Sequence, residues 1–199
     1  MPKKEAYDNA VQLAVEKLRT RDFNVVCKNL GLQQPKSERL CMRAFGADIE
    51  MGLADFNITF AGTGEQLKIS DRILILHYLL CDYPVKFNDQ MISFRELSGG
   101  QFYWGPFRAR SVNPLEKRFA QDLDGLRKNL DRFDWEPVAI GDLAARIHVM
   151  GNLYVTLIFR LGDEELPAAA DLLFDSAVKR IYNAEDAAVL SGRICLGLL

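Results

Sequence analysis

The sequence predicts an α+β fold: a single domain, residues 1–199, with a mainly antiparallel sheet, a central buried helix and flanking helices. Three observations carry this. ILILHYLL, residues 73–80, is apolar almost all the way round, which places a helix inside a core. Leu153, Val155, Leu157, Phe159 and Leu161 alternate with Tyr154, Thr156, Ile158 and Arg160, the period of a strand. Strands and helices do not alternate regularly along the chain, which argues against a doubly wound parallel sheet.

The elements follow in order. Lys4 to Thr20 reads as a helix with Tyr7, Ala10, Ala14 and Leu18 on one stripe. A short turn or helix over Val25 to Leu30 ends at Gly31, and Gln33 to Ser37 is a polar linker. Leu40 to Met51 reads as two short strands broken near Gly46. Phe56, Ile58 and Phe60 form a half-buried strand closed by Gly62-Thr63-Gly64, so these pieces suggest an antiparallel meander. Ser70 is a plausible N-cap for the central helix, Asp71 to Asp82, and Tyr83-Pro84 ends it. Asn113-Pro114-Leu115-Glu116 has the cap, the proline and the acid of a helix start, and Leu115, Phe119, Leu123, Leu126 and Leu130 then share one stripe. Residues 168–181 fit helix and strand equally. Asn183 caps a last helix from Ala184 to Leu198.

Composition narrows the function classes. An apolar fraction of 49% and a charged fraction of 26% are those of a globular chain. A net charge of -2 supplies no general field for nucleic acid or an anionic membrane, so neither is an expected partner. The start, Met-Pro-Lys-Lys-Glu, lacks a secretory pattern, and the longest strongly apolar run, Ile73 to Cys81, is far below the ~20 residues that cross a bilayer. The four cysteines, Cys27, Cys41, Cys81 and Cys195, are scattered among apolar neighbours and suit a reducing cytoplasm.

Most chemical motifs are missing. The two histidines, His77 and His148, have no ligand at metal-site spacing, so no metal site is expected. His77 reads as a hydrogen-bonded core or interface residue, and His148 fits an exposed loop. There is no nucleophile elbow, and Ser98 beside Gly99-Gly100 lacks its strand-turn-helix frame. Neither glycine-rich phosphate motif is present.

Two segments stand out. ISFRELSGGQFYWGPFRAR, residues 92–110, packs Phe102, Tyr103, Trp104 and Phe107 among Arg95, Arg108 and Arg110. Aromatic faces bind flat ligands and arginine forks bind carboxylate or phosphate, although such clusters also plug cores and pair with surface acids. The second is the acidic turn Asp163, Glu164 and Glu165, followed by Asp175, where neighbouring carboxylates bind a hard cation, share a proton or stay solvated. The acids are also candidates to meet the arginines.

LILHYLL, ISFRELSGGQFYWGPF, GDEELPAAADLLFDSA and AEDAAVL, in that order and spacing, resemble a bacterial and archaeal family classed as a domain of unknown function. The resemblance runs from about Leu40 to the C-terminus. It implies a protein of anaerobes, such as sulfate reducers and methanogens, near iron–sulfur or corrinoid-protein modules. The chain has no cysteine cluster of Fe–S spacing, so a cluster would belong to a partner. The resemblance therefore implies no intrinsic cofactor, with corrinoid bound directly or through a partner, and a corrinoid or iron–sulfur protein as that partner. Three functions follow: a ligand-binding or accessory protein, favoured by the missing catalytic motifs; an enzyme with an arginine/carboxylate site for a small anion; and a scaffold with no small-molecule site.

Overall fold

The computed structural model describes residues 2–86 and 88–199, with side chains from residue 5 onward. In chain order the elements are α1 (Pro2–Leu18), α2 (Phe23–Leu30), β1 (Arg39–Ala44), β2 (Ala47–Gly52), β3 (Ile58–Phe60), α3 (Ile69–Leu79), β4 (Met91–Ser93), α4 (Gly100–Arg110), α5 (Val112–Phe119), α6 (Leu123–Leu130), β5 (Trp135–Pro137), β6 (Leu143–Met150), β7 (Leu153–Arg160), β8 (Ala169–Asp175) and α7 (Ala184–Gly197). Two short 3-10 turns, Phe94–Glu96 and Ser176–Arg180, complete the chain. The fold is α+β.

The strands form one antiparallel sheet in the order β3-β2-β1-β6-β7-β8-β4, with β5 also paired to β6. Phe45 and Gly46, both with positive φ, make the two-residue turn from β1 to β2, the geometry that matches strand twist. A Cβ at Gly46 would sit 2.3 Å from the Arg132 carbonyl oxygen, so the position also needs glycine for space. β1 meets β6 at one register pair, Ala44 with Met150, while β5 occupies the same edge of β6 beside residues 145–147.

One sheet face, carrying Ala145, Ile147, Val155, Leu157, Phe159, Leu172 and Phe174, is wholly buried and joins one core cluster with side chains from α1, α3, α5, α6 and α7. The other face carries Arg146, His148 and Tyr154, which are half-buried. The edge of β8 beyond β4 is covered by α5, where Glu116 accepts the Ala170 N–H at 2.9 Å. That removes a free strand edge.

α3 is the buried central helix: Leu74, Ile75, Leu76, Tyr78 and Leu79 are fully enclosed. Leu80 is only partly buried, because it is the C-cap residue rather than part of the helix. The helix starts at Ile69 after Lys68, and Ser70 does not cap it. The expected single helix over Leu115–Leu130 is two. Asp122 breaks it by accepting the Gly125 N–H and capping α6. Asn113 is not a cap either, since the chain turns sharply at Ser111 and α5 starts one residue before it. Residues 169–175 are strand and 176–180 a 3-10 turn, which resolves the ambiguous stretch. β6, with His148 half-buried in it rather than in a loop, escapes the sequence reading. Cys27, Cys81 and Cys195 are buried and Cys41 is exposed. Burial pushes the Cys27 thiol up to about 11 and that of Cys195 to about 12, so both act as small hydrophobes. Among the described residues no helix is long and apolar enough to cross a membrane.

Candidate functional site

The aromatic–arginine segment runs from β4 through the Phe94–Glu96 turn into α4, which is helical despite Gly100, Gly105 and Pro106. Packing outweighs their poor propensity. The Phe107 ring stacks on Phe94 with centroids 4.0 Å apart, and Trp104 stacks on Phe107 at 5.3 Å. The Arg95 guanidinium lies 4.4 Å over the Trp104 ring, and that of Arg108 lies 5.7 Å from the same ring. Arg108 Nη2 donates to both Glu116 oxygens at 2.7 and 2.9 Å. Glu116 thus ties α4 to the edge of β8. Arg110 and Tyr103 are exposed, and Phe107 is buried.

The acidic turn is self-contained. Asp163 Oδ1 accepts the Leu166 N–H at 2.7 Å and the Glu165 N–H at 2.9 Å, and these bonds hold its carboxyl below the usual carboxylate range. Glu164 and Glu165 are exposed. Among the described residues no hydrogen bond or ion pair joins Asp163, Glu164 or Glu165 to Arg95, Arg108 or Arg110. Asp175 stands apart from them. It is buried and caps the Ser176–Arg180 turn, with Oδ1 accepting from Ala177 N and Oδ2 from Asn88 N, both at 2.9 Å.

The two segments do meet, through different residues. β4 pairs with β8, setting Met91 opposite Asp175 and Ser93 opposite Leu173. Two clefts of about 710 and 580 Å³ lie either side of the Ser176–Arg180 turn and share Glu96, Lys179 and Arg180 as a wall. Ser98, Tyr182 and Asn183 complete the first; Tyr83, Lys86 and Asn88 border the second. The Arg180 guanidinium sits 5.4 Å from the Tyr83 ring.

Electrostatics gives these clefts their character. Lys86, Lys179 and Arg180 are exposed, and none takes part in an ion pair among the described residues. Glu96, the carboxylate among the lining residues, accepts the Ser93 N–H at 2.6 Å. Three cations line the clefts against the single charge of Glu96, and a bound anion would complete their neutralisation. The sequence reading missed Lys179, Arg180, Lys86 and Tyr83. The sequence signal was the adjacent Lys179-Arg180 pair, and nothing local marks Lys86 or Tyr83.

The histidines hold elements together. His77 Nδ1 lies 2.9 Å from Asp186 Oδ1, linking α3 to α7, and His148 Nε2 lies 2.9 Å from the Gly151 carbonyl oxygen. Among the described residues no group of three or more His, Cys, Asp and Glu side chains is placed to hold a metal ion.

Fold and clefts together give an α+β domain with two neighbouring surface clefts lined by Lys86, Lys179, Arg180 and Glu96. The chain belongs to the family described as a domain of unknown function, DUF3786, which matches residues 22–196. No curated protein and no solved structure matches it.

Proposed function

We propose that the protein binds a small anionic ligand in the paired clefts, as a ligand-binding or accessory protein. The observation that carries this is the convergence of Lys86, Lys179 and Arg180 in clefts whose lining includes one carboxylate, Glu96. Tyr83 adds a ring beside Arg180, which suits a ligand with a flat portion as well as a charge. Corrinoid, implied by the family resemblance, is one ligand to screen. A corrinoid or iron–sulfur protein is the partner with which the ligand would be exchanged.

The test is a titration of tag-free protein with inorganic phosphate, pyrophosphate, dicarboxylates and a corrinoid, followed by calorimetry and amide chemical shifts. Lys179→Ala and Arg180→Ala are expected to weaken binding at least about tenfold each, since a charged hydrogen bond contributes about 1.5–3 kcal/mol. Both side chains are exposed, so the variants should fold normally. Arg108→Ala is the contrast: it leaves Glu116 with the Ala170 N–H but without its cation, and is expected to cost about 1–2 kcal/mol of stability while leaving binding unchanged. Failure of every anion to bind wild type, or equal binding by the cleft variants, would sink the reading.

A further inference from the structure

A surface helix ordinarily turns polar side chains to water, and α4 does not. Its inner stripe is Gly100, Trp104 and Phe107. Its outer side carries Phe102, Tyr103, Pro106, Ala109 and Arg110, all exposed and at helical spacing. Phe102 is 93% exposed and Tyr103 49%. No acidic residue occurs from Leu97 to Arg110, and Arg110 forms no ion pair among the described residues. The face is apolar with a positive rim, so the surface it fits is apolar with a negative rim.

The chain carries such a surface itself. In the turn between β7 and β8, Leu161 and Leu166 are exposed around Asp163, Glu164 and Glu165, with Leu166 at 66%. Glu164 and Glu165 form no ion pair among the described residues. The two Asp163 hydrogen bonds shape this turn before any contact is made, which lowers the ordering cost of binding. Both patches are also tethered to one edge of the sheet. Glu116 holds Arg108 of α4 and the Ala170 N–H, four residues beyond Leu166.

We infer that the outer face of α4 docks the acidic β7–β8 turn of a second copy of this chain, and that the reciprocal contact closes a two-fold dimer. The contact is independent of the ligand clefts. It combines burial of Phe102, Tyr103 and Leu166 with charge attraction between Arg110 on one copy and Glu164 and Glu165 on the other.

Sedimentation equilibrium over a range of protein and salt concentrations tests it. At about 100 µM chain, enough to fill a contact of micromolar strength, wild type is expected at twice the 22.5 kDa of one chain, shifting towards single chains as salt rises. Phe102→Ser and the pair Glu164→Lys/Glu165→Lys are each expected to raise the dissociation constant at least tenfold, with circular dichroism confirming that both remain folded. Equal mixing of the two variants is the decisive measurement. Each retains the half that the other has lost, so the mixture should associate more strongly than either alone. Wild type that stays single-chain overturns the inference and leaves α4 to a foreign partner. So does a dimer that ignores the charge reversal, or a mixture that associates no better than its components.

Discussion

Leu76→Ala is expected to lower stability by about 2–5 kcal/mol, the range for truncating a fully enclosed leucine. The argument begins with the run ILILHYLL, whose lack of a polar face requires burial on all sides. The structure supplies those sides: α1 and α7 pack on α3, and Leu74, Ile75, Tyr78 and Leu79 are as enclosed as Leu76 itself. A cavity there cannot collapse easily, because α3 is held at both ends. Tyr78 Oη donates to the Leu30 carbonyl at 2.7 Å, and Asp71 on the first turn accepts from Arg193 of α7 at 2.9 Å. Chemical denaturation of both proteins measures the difference. A loss below about 0.5 kcal/mol, the range of surface substitutions, would move α3 to the periphery. Leu80→Ala should cost less than Leu76→Ala, since Leu80 is only partly buried at the C-cap.

Gly151→Ala should be as damaging through a different mechanism. Gly151 sits at φ 50° in the turn from β6 to β7, and a Cβ there would lie 2.4 Å from both the Leu30 carbonyl oxygen and Tyr78 Oη. Those two atoms belong to a knot in which Asn152 N also donates to Tyr78 Oη, at 3.0 Å, and Asn152 Nδ2 donates to the Val85 carbonyl at 2.8 Å. The knot joins α2, α3 and the β6–β7 turn, so it cannot shift without disturbing three elements. Left-handed backbone strain costs about 1–2 kcal/mol for alanine, and forced overpacking adds about 1–3 kcal/mol, so the total should reach about 3 kcal/mol. Gly62→Ala separates the two contributions. Gly62 has φ 83° but open space where the Cβ would go, so only the backbone strain applies. Equal losses at the two glycines would mean that the Tyr78 knot yields freely. In the Tyr78→Phe background the Gly151→Ala cost should shrink, because one clashing oxygen is gone.

Much of the fold was legible because its signals are local. The all-round apolarity of residues 73–80, the alternation of residues 153–161 and the Asn183 cap each report a single element from neighbouring residues, and each element is present. β6 was not legible. Leu143, Ala144, Ala145 and Ile147 are buried with Arg146 and His148 half-buried between or after them, so the sequence shows no clean alternation. α4 was hidden for the opposite reason. Gly99-Gly100 and Gly105-Pro106 speak against helix, and only the stack of Phe94, Phe107 and Trp104, formed after the chain has folded back, holds it. The site was half legible. The segments that border the clefts were singled out, but the cations facing the clefts lie just outside them, at Lys86, Lys179 and Arg180. Which cations converge depends on the pairing of β4 with β8, a contact between residues about eighty positions apart, beyond the reach of sequence pattern.

The narrow seam at Ala44 and Met150 bears on how the molecule comes apart. Three strands hang from one register pair, so the ladder couples β1–β3 weakly to β6–β8, and beyond the shared core the polar bonds across the seam include Arg43 gripping Asp134 at 2.7 and 2.9 Å and the Phe45 N–H donating to the Val149 carbonyl at 2.8 Å. Cooperativity, in such a sheet, depends on the shared core and a few cross-seam bonds rather than on its strand count. Native-state hydrogen exchange should therefore find two opening energies, the lower for amides of β1–β3 and the higher for β6–β8. Arg43→Ala should widen the gap between them, making the meander a separately fluctuating unit while the central strands keep their protection.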